Sequence, residues 1–135
     1  MVRIGIWLDK EKAHVVTLHN NQANFETILS NVETSRDVPG SDIRLKEGSK
    51  EIIQDSKFME REKQQLKKYF KNLVSEIKEV DKLVLFGPAE TALNFKKELN
   101  SNYKEISAKL SDVVKADSMT NAQIVAWVKS YFDAN

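Results

Sequence analysis

The side chains best suited to binding chemistry are the basic residues between positions 36 and 71 of this 135-residue chain. Lysine and arginine neutralise phosphate groups, so the cluster predicts a surface that contacts RNA. A solvated helix face is the alternative, because the net charge of +1 argues against a whole surface built for a polyanion. The predicted RNA-binding residues are Arg36, Arg44, Lys46, Arg61, Lys63, Lys67, Lys68 and Lys71.

Residues for catalysis are scarce. The chain has no cysteine, which excludes a thiolate metal site and a cysteine nucleophile. His14 and His19 are five residues apart in one apolar run, so a strand would place them on opposite faces, one in the core and one at the surface. No serine is paired with a histidine and an acid in a recognisable frame. We therefore predict no catalytic residue, no metal ligand and no cofactor.

Gly87 and Pro88 stand between a buried apolar run and a helical pattern. Such a junction could present backbone N–H groups to an anion. Proline lacks one of these donors, however, and no Gly-rich loop with a P-loop lysine is present. A tight strand-to-helix turn is the expected role.

Three strand-like segments open the chain. Ile4, Ile6 and Leu8 recur at every second position, and apolar runs follow at 13–19 and 25–32. The connections are short and polar, and the pair at 20–21 is Asn-Asn, which tolerates turn conformations. These features predict an antiparallel meander.

A long helix dominates the middle of the sequence. Residues 33–56 contain Pro39, Gly40 and Gly48 and predict a mobile loop. Asp55 or Ser56 is the expected N-cap of the helix that follows. Its buried stripe is predicted from three- and four-residue spacing to be Leu66, Tyr69, Phe70, Leu73, Val74, Ile77 and Val80.

The second half alternates strands and helices. Residues 82–86 form an apolar run typical of a strand buried on both faces. Pro88 is expected at the first helical position of a helix over about 88–99, followed by a strand near 110–115. Thr120 and Gln123 form a capping box for a last helix over 121–132, with Met119 and Ile124 as its hydrophobic staple.

The predicted order is β-β-β-α-β-α-β-α, which gives an α/β fold with a mixed five-stranded sheet and packed helices. Residues 1–135 are expected to form one domain. No apolar run approaches the roughly 20 residues needed to cross a bilayer. The first residues also lack the features of a signal peptide. We therefore expect a soluble, cytoplasmic protein with no membrane partner.

Three stretches resemble a known family. They are Ile-Trp-Leu-Asp at 6–9 with Ala-His-Val-Val at 13–16, Leu-Phe-Gly-Pro-Ala-Glu at 85–90, and Ala-Asp-Ser-Met-Thr-Asn-Ala-Gln-Ile-Val at 116–125. In this order they resemble the middle domain of eukaryotic and archaeal class-1 peptide-chain release factors. They are most similar to the small bacterial relatives of that domain, described as translational-machinery or host-attachment proteins. The resemblance implies a ribonuclease H-like fold and the ribosome or RNA as partner.

The release factors of this family carry Gly-Gly-Gln ahead of the long helix, and that glutamine promotes hydrolysis of peptidyl-tRNA. The corresponding region here, 34–57, has no Gly-Gly-Gln. Gly40 and Gly48 are isolated, and Gln54 stands between Ile53 and Asp55. The resemblance therefore implies a non-catalytic, translation-related binding module that contacts ribosomal RNA or tRNA.

Two other functions stay open at this point. Nucleases with a ribonuclease H-like sheet hold two metal ions with carboxylates. The candidates here would be Asp9, Glu26, Glu90 and Asp117. The third possibility is a protein-interaction or self-association domain, a homo-oligomer formed through strand edges or through Trp7 and Trp127.

Overall fold

The computed structural model describes residues 1–30, 48–88 and 90–134, with the backbone alone for residues 48–60. Five strands are present in the described chain: β1 Arg3–Leu8, β2 Lys12–His19, β3 Gln22–Leu29, β4 Lys82–Gly87 and β5 Leu110–Lys115. The helices of the same ranges are α1 Gly48–Glu76, α2 Thr91–Asn102, α3 Lys104–Ser107 and α4 Asn121–Ala134.

The strands form one mixed sheet in the order β3-β2-β1-β4-β5. β1 pairs antiparallel with β2, and β2 antiparallel with β3. β4 pairs in parallel with β1 and with β5. Asn20 and Asn21 join β2 to β3 with φ angles of 52° and 64°, as a two-residue hairpin turn requires. The predicted α/β fold with a mixed five-stranded sheet is confirmed.

Helices cover both faces of the sheet, because successive residues of a strand point to opposite sides. Ile4, Ile6 and Leu8 of β1 pack in a core with side chains of α1 and α2. Trp7 lies on the other face, in a second core with Val128 of α4. The small residue on this second face is Gly5, where a Cβ atom would overlap the Val128 side chain. Glycine therefore allows α4 to pack directly on β1.

Helix α1 begins earlier than its sequence predicted. Its first residue is Gly48, so the expected N-cap at Asp55 or Ser56 is wrong, and residues 48–56 are helical where a loop was predicted. Extending a helix adds one hydrogen bond for each residue fixed. Lys50, Glu51 and Gln54 also favour a helical backbone, and two potential capping residues do not stop it. The rest of the predicted mobile loop, 33–47, lies outside the described residues.

The turn between β4 and α2 also differs from expectation. The helix begins at Thr91 with Glu90 as its N-cap, so Pro88 is not its first residue. Gly87 is still part of β4, and its carbonyl oxygen accepts a hydrogen bond of 2.8 Å from the Ala116 N–H, so the backbone stays extended up to this residue.

The bounds of β3 and the start of α4 can also be compared with what the sequence predicted. Strand β3 spans Gln22–Leu29, whereas the sequence predicted 25–32. Both its start and its end therefore lie three residues earlier than predicted, and residues 31 and 32 lie outside the described chain. The capping box of α4 is confirmed: the Thr120 N–H donates to Gln123 Oε1 at 2.9 Å, and the Gln123 N–H donates to Thr120 Oγ1 at 3.2 Å.

Within the described residues, none of the helices combines the length and apolarity of a membrane span.

Candidate nucleic-acid interface

Helix α1 runs antiparallel to β1 across the sheet, as three contacts along it show. Glu62 forms a salt bridge of 2.8 Å with Lys10, just beyond the carboxyl end of β1. One residue before Lys10 in the chain, the Asp9 carbonyl oxygen accepts a hydrogen bond of 3.2 Å from the Tyr69 hydroxyl. After the helix ends, the Asp81 N–H donates to the Val2 carbonyl oxygen at 2.8 Å, next to the amino end of β1.

The long outer surface of α1 is basic. The side chains predicted to bind RNA in this helix are all exposed, whereas Tyr69, Phe70 and Leu73 are buried against the sheet. The three- and four-residue spacing between Lys67, Lys68 and Lys71 makes these lysines neighbours on one surface. We define the α1 basic face as Arg61, Lys63, Lys67, Lys68 and Lys71.

Acidic side chains leave much of this charge unneutralised. Glu62 faces Lys10, and its side chain is only 19% exposed, so its carboxylate is directed away from the α1 basic face. Within the described residues, Lys67, Lys68 and Lys71 lie in no ion pair. Exposed lysines of this kind form a positively charged surface, which attracts phosphate groups without reading the bases.

The remaining predicted RNA-binding residues, Arg36, Arg44 and Lys46, lie outside the described residues. The structure thus brings together five of the eight predicted basic positions. A contribution of the other three stays a prediction. Sequence reasoning missed the Lys10–Glu62 pair, because its members are 52 residues apart and carry no local pattern.

Of the carboxylates proposed for a metal site, Asp9 shapes a turn, whereas the Glu90 and Asp117 side chains are exposed. Asp9 Oδ1 accepts hydrogen bonds from the N–H groups of Glu11 at 2.8 Å and Lys12 at 2.9 Å, which shapes the β1–β2 turn. Glu90 is the N-cap residue of α2. Asp117 is exposed, and its carbonyl oxygen accepts the Trp7 indole N–H at 3.2 Å.

Glu26, the fourth candidate, lies on the edge strand β3. Burial raises the pKa of its carboxyl, and the neighbouring Glu76 carboxyl raises that pKa further. A side-chain hydrogen bond with Glu76 raises the Glu26 pKa as well. In the portion of the chain that is described, no cluster of three or more histidine and carboxylate side chains could hold a metal ion. The nuclease alternative therefore gains no support from these residues.

The two histidines have different environments, as the sequence predicted. His14 is 9% exposed, and its Nδ1 lies 2.9 Å from Thr27 Oγ1. Its ring stacks between Trp7 and Phe25, with ring centroids 5.5 and 5.3 Å away. Burial lowers the pKa of the His14 imidazole below its usual range, and the Lys12 ammonium lowers it further, while Asp9 opposes them. His19 is exposed at the end of β2.

The tryptophans proposed for an interface are largely used inside the fold. Trp7 is 2% exposed, so the prediction that it forms an intermolecular contact is wrong. Its position under α4 results from the alternation of β1, which directs Ile4, Ile6 and Leu8 to the opposite face. Trp127 is half-buried between Phe86 and Tyr131, with ring centroids 3.9 and 5.5 Å away.

The chain is similar to known proteins at the level of structure. No protein-family model matches the chain, and no curated protein sequence matches it. Pelota of Archaeoglobus fulgidus is similar, with a TM-score of 0.57 at 11% identity over 96% of this chain and 31% of that protein. An archaeal translation termination factor, aRF1, gives a TM-score of 0.56 at 11% identity over 98% of this chain and 39% of that factor.

The chain has a release-factor-like domain fold. Pelota of Thermoplasma acidophilum supports the same conclusion, with a TM-score of 0.56 at 12% identity over 99% of this chain and 34% of that protein. This chain therefore spans between about a third and two-fifths of the proteins it matches. At such low identities the likeness establishes the fold alone.

Proposed function

We propose that this chain is a non-catalytic, translation-related binding module and that its α1 basic face contacts ribosomal RNA or tRNA. The observation that carries the proposal is the exposed group Lys67, Lys68 and Lys71, which forms no ion pair among the described residues and lies on the outer surface of a helix whose other side packs on the sheet. A rigid helix presents its charges without the entropy cost of ordering a flexible segment.

The fold supports the translation context. One of the similar structures is described as an archaeal translation termination factor, and the domain shared with it covers nearly all of this chain. The absence of Gly-Gly-Gln from the sequence supports binding without peptidyl-tRNA hydrolysis. An RNA contact through lysines on a helix face would be governed by backbone charge and would carry little sequence specificity.

Ribosome and tRNA co-sedimentation tests this proposal. The wild-type chain is expected to pellet with ribosomes or with immobilised tRNA at low salt and to dissociate as salt rises. A Lys67→Glu/Lys68→Glu/Lys71→Glu variant is expected to lose most of this association, because three attractive charges become repulsive.

The matched control carries the same change of charge on α2, α3 and the start of the β5 region: Lys97→Glu/Lys104→Glu/Lys109→Glu. These three lysines are also exposed. The control is expected to retain clearly more association than the α1 variant. Equal loss in both variants would show that net charge alone is responsible, and no association of the wild type at low salt would contradict the proposal.

A further inference from the structure

A polar groove lies at the end of the sheet where β1 begins, on the face covered by α4. The α1 basic face is on the other side of the sheet, so the two surfaces are separate. The walls of the groove come from the start of β1, the β2–β3 turn and the C-terminal turns of α4. Its lining includes Arg3, His19, Asn20, Asn21, Lys129 and Asp133.

The fold brings together two cationic side chains of this groove, Arg3 and Lys129, which are far apart in the sequence. Arg3 alternates with Gly5 and Trp7, the β1 residues that face α4. Lys129 directly follows Val128, the α4 residue that packs on Gly5. The close packing of α4 on β1 therefore places the guanidinium and the ammonium beside the same concave surface.

The β2–β3 turn adds amide groups at the rim of the groove. Asn20 and Asn21 both have positive φ angles, and His19 pairs with Gln22 across the strand ends. The Asn20 side-chain amide lies 3.2 Å from His19 Nε2. A two-residue turn with this backbone is short and fixed, so its amide side chains remain close to the groove.

The charge of the groove is only partly balanced. Arg3 is half-buried, and within the described residues neither Arg3 nor Lys129 has a carboxylate within the 4.0 Å of a salt bridge. Asp133 is the carboxylate among the lining residues. Two permanent cations and an imidazole thus face one acid. A guanidinium fork with nearby amide donors is the arrangement that recognises tetrahedral oxyanions.

We propose that this surface, the β1–α4 groove, binds a phosphate group. Arg3 and Lys129 would supply the charge, Asn20 and Asn21 would donate hydrogen bonds, and Asp133 would limit the affinity. The phosphate could belong to a small metabolite or to an RNA backbone, and the recognition chemistry is the same for both.

The test follows backbone amide NMR signals of the full chain during titration with inorganic phosphate, adenosine 5′-monophosphate, adenosine and a short single-stranded RNA. Saturable shifts of Asn20, Asn21 and Lys129 are expected with the phosphate-bearing probes and not with adenosine. Tighter binding of RNA than of the two small phosphates would assign the groove to an RNA backbone. Equal or weaker binding of RNA would assign it to a small phosphorylated ligand.

Variants connect the shifts to the groove. Arg3→Gln and Lys129→Gln are each expected to weaken phosphate binding by about tenfold, which is the scale of one hydrogen bond to a charged group. Asp133→Asn is expected to strengthen it, and Lys97→Gln, a matched change outside the groove, to leave it unchanged. Arg3→Lys keeps the charge without the planar fork and should give an intermediate affinity.

Two results would overturn the proposal. One is the absence of saturable shifts with every phosphate-bearing probe. The other is unchanged binding in an Arg3→Gln/Lys129→Gln variant whose NMR spectrum shows a native fold. The Lys67→Glu/Lys68→Glu/Lys71→Glu variant is expected to keep its phosphate shifts, so failure of ribosome binding and failure of the groove are distinguishable.

Discussion

At the scale of single residues, His14 makes the stability of the fold depend on pH. Its imidazole lies between two aromatic rings and contacts the Thr27 hydroxyl, an environment suited to the neutral form. Burial is the main reason that its pKa is lowered in the folded chain. The unfolded chain exposes the same imidazole to water and binds a proton more readily.

The resulting prediction is a loss of stability in mild acid. As pH falls through about 6.5, the unfolded state gains a proton that the folded state does not yet bind, so the free energy of unfolding decreases. The contribution of this one group is at most about 1.4 kcal/mol per pH unit, and it ends once pH falls below the folded pKa. Urea unfolding between pH 7.5 and pH 5 measures this change.

A His14→Gln variant should lose this part of the pH dependence, although it starts from a lower stability because the ring stack is gone. The exposed His19 provides the control, because His19→Gln removes a histidine while leaving the buried ring stack intact. A His14→Gln profile parallel to that of the wild type throughout the range would contradict the assignment.

At the scale of secondary-structure elements, the contact between α4 and β1 determines how closely the second helical layer packs. Gly5 lies under Val128, which is fully buried. A methyl group at position 5 would overlap the valine side chain, so either the helix or the strand would have to move. The same contact positions both Trp7 and the β1–α4 groove.

We expect Gly5→Ala to lower the free energy of unfolding by about 1–3 kcal/mol through overpacking. Val128→Ala should lower it through a cavity. The double variant should be less destabilised than the sum of the two, because the smaller side chain makes room for the new methyl group. Chemical denaturation of the four proteins gives the coupling energy, and strict additivity would refute the close contact.

Elements also show which features the sequence could predict. The capping box of α4 was predictable, since Thr120 and Gln123 are three residues apart and their hydrogen bonds are local. The start of α1 was not, because Asp55 and Ser56 have capping chemistry that helix extension overrides. The later start of α2 was not predictable either, because the pairing of Gly87 with β5 keeps the backbone extended up to that residue.

The candidate site also combines features that the sequence could predict with features that it could not. The α1 basic face was predictable from its spacing, because a helix turns local sequence into a surface. The neutralisation of Glu62 by Lys10 and the shared groove of Arg3 and Lys129 required the sheet topology. Pairs that are distant in sequence carry no periodic signal, so the part of the electrostatics that depends on them became known only from the structure.

At the scale of the whole molecule, the chain presents two positively charged surfaces on opposite sides of one mixed sheet. The α1 basic face is an exposed helix surface whose lysines form no ion pair in the described part of the chain, and the β1–α4 groove is concave and includes a carboxylate. Together they explain how a chain with a net charge of +1 could still contact an anionic partner, because charge of one sign is concentrated locally. The release-factor-like fold provides the frame that holds both surfaces.

The measurement that tests the central claim most directly is the salt dependence of tRNA binding by the wild-type chain and two lysine variants. For the wild type, the logarithm of the binding constant should fall linearly with the logarithm of salt concentration. In Lys67→Gln/Lys68→Gln/Lys71→Gln the slope should be smaller by about 2–3. The control Lys97→Gln/Lys104→Gln/Lys109→Gln should keep the wild-type slope. Identical slopes for all three proteins, or no binding by the wild type at ~50 mM salt, would contradict an RNA contact through the α1 basic face.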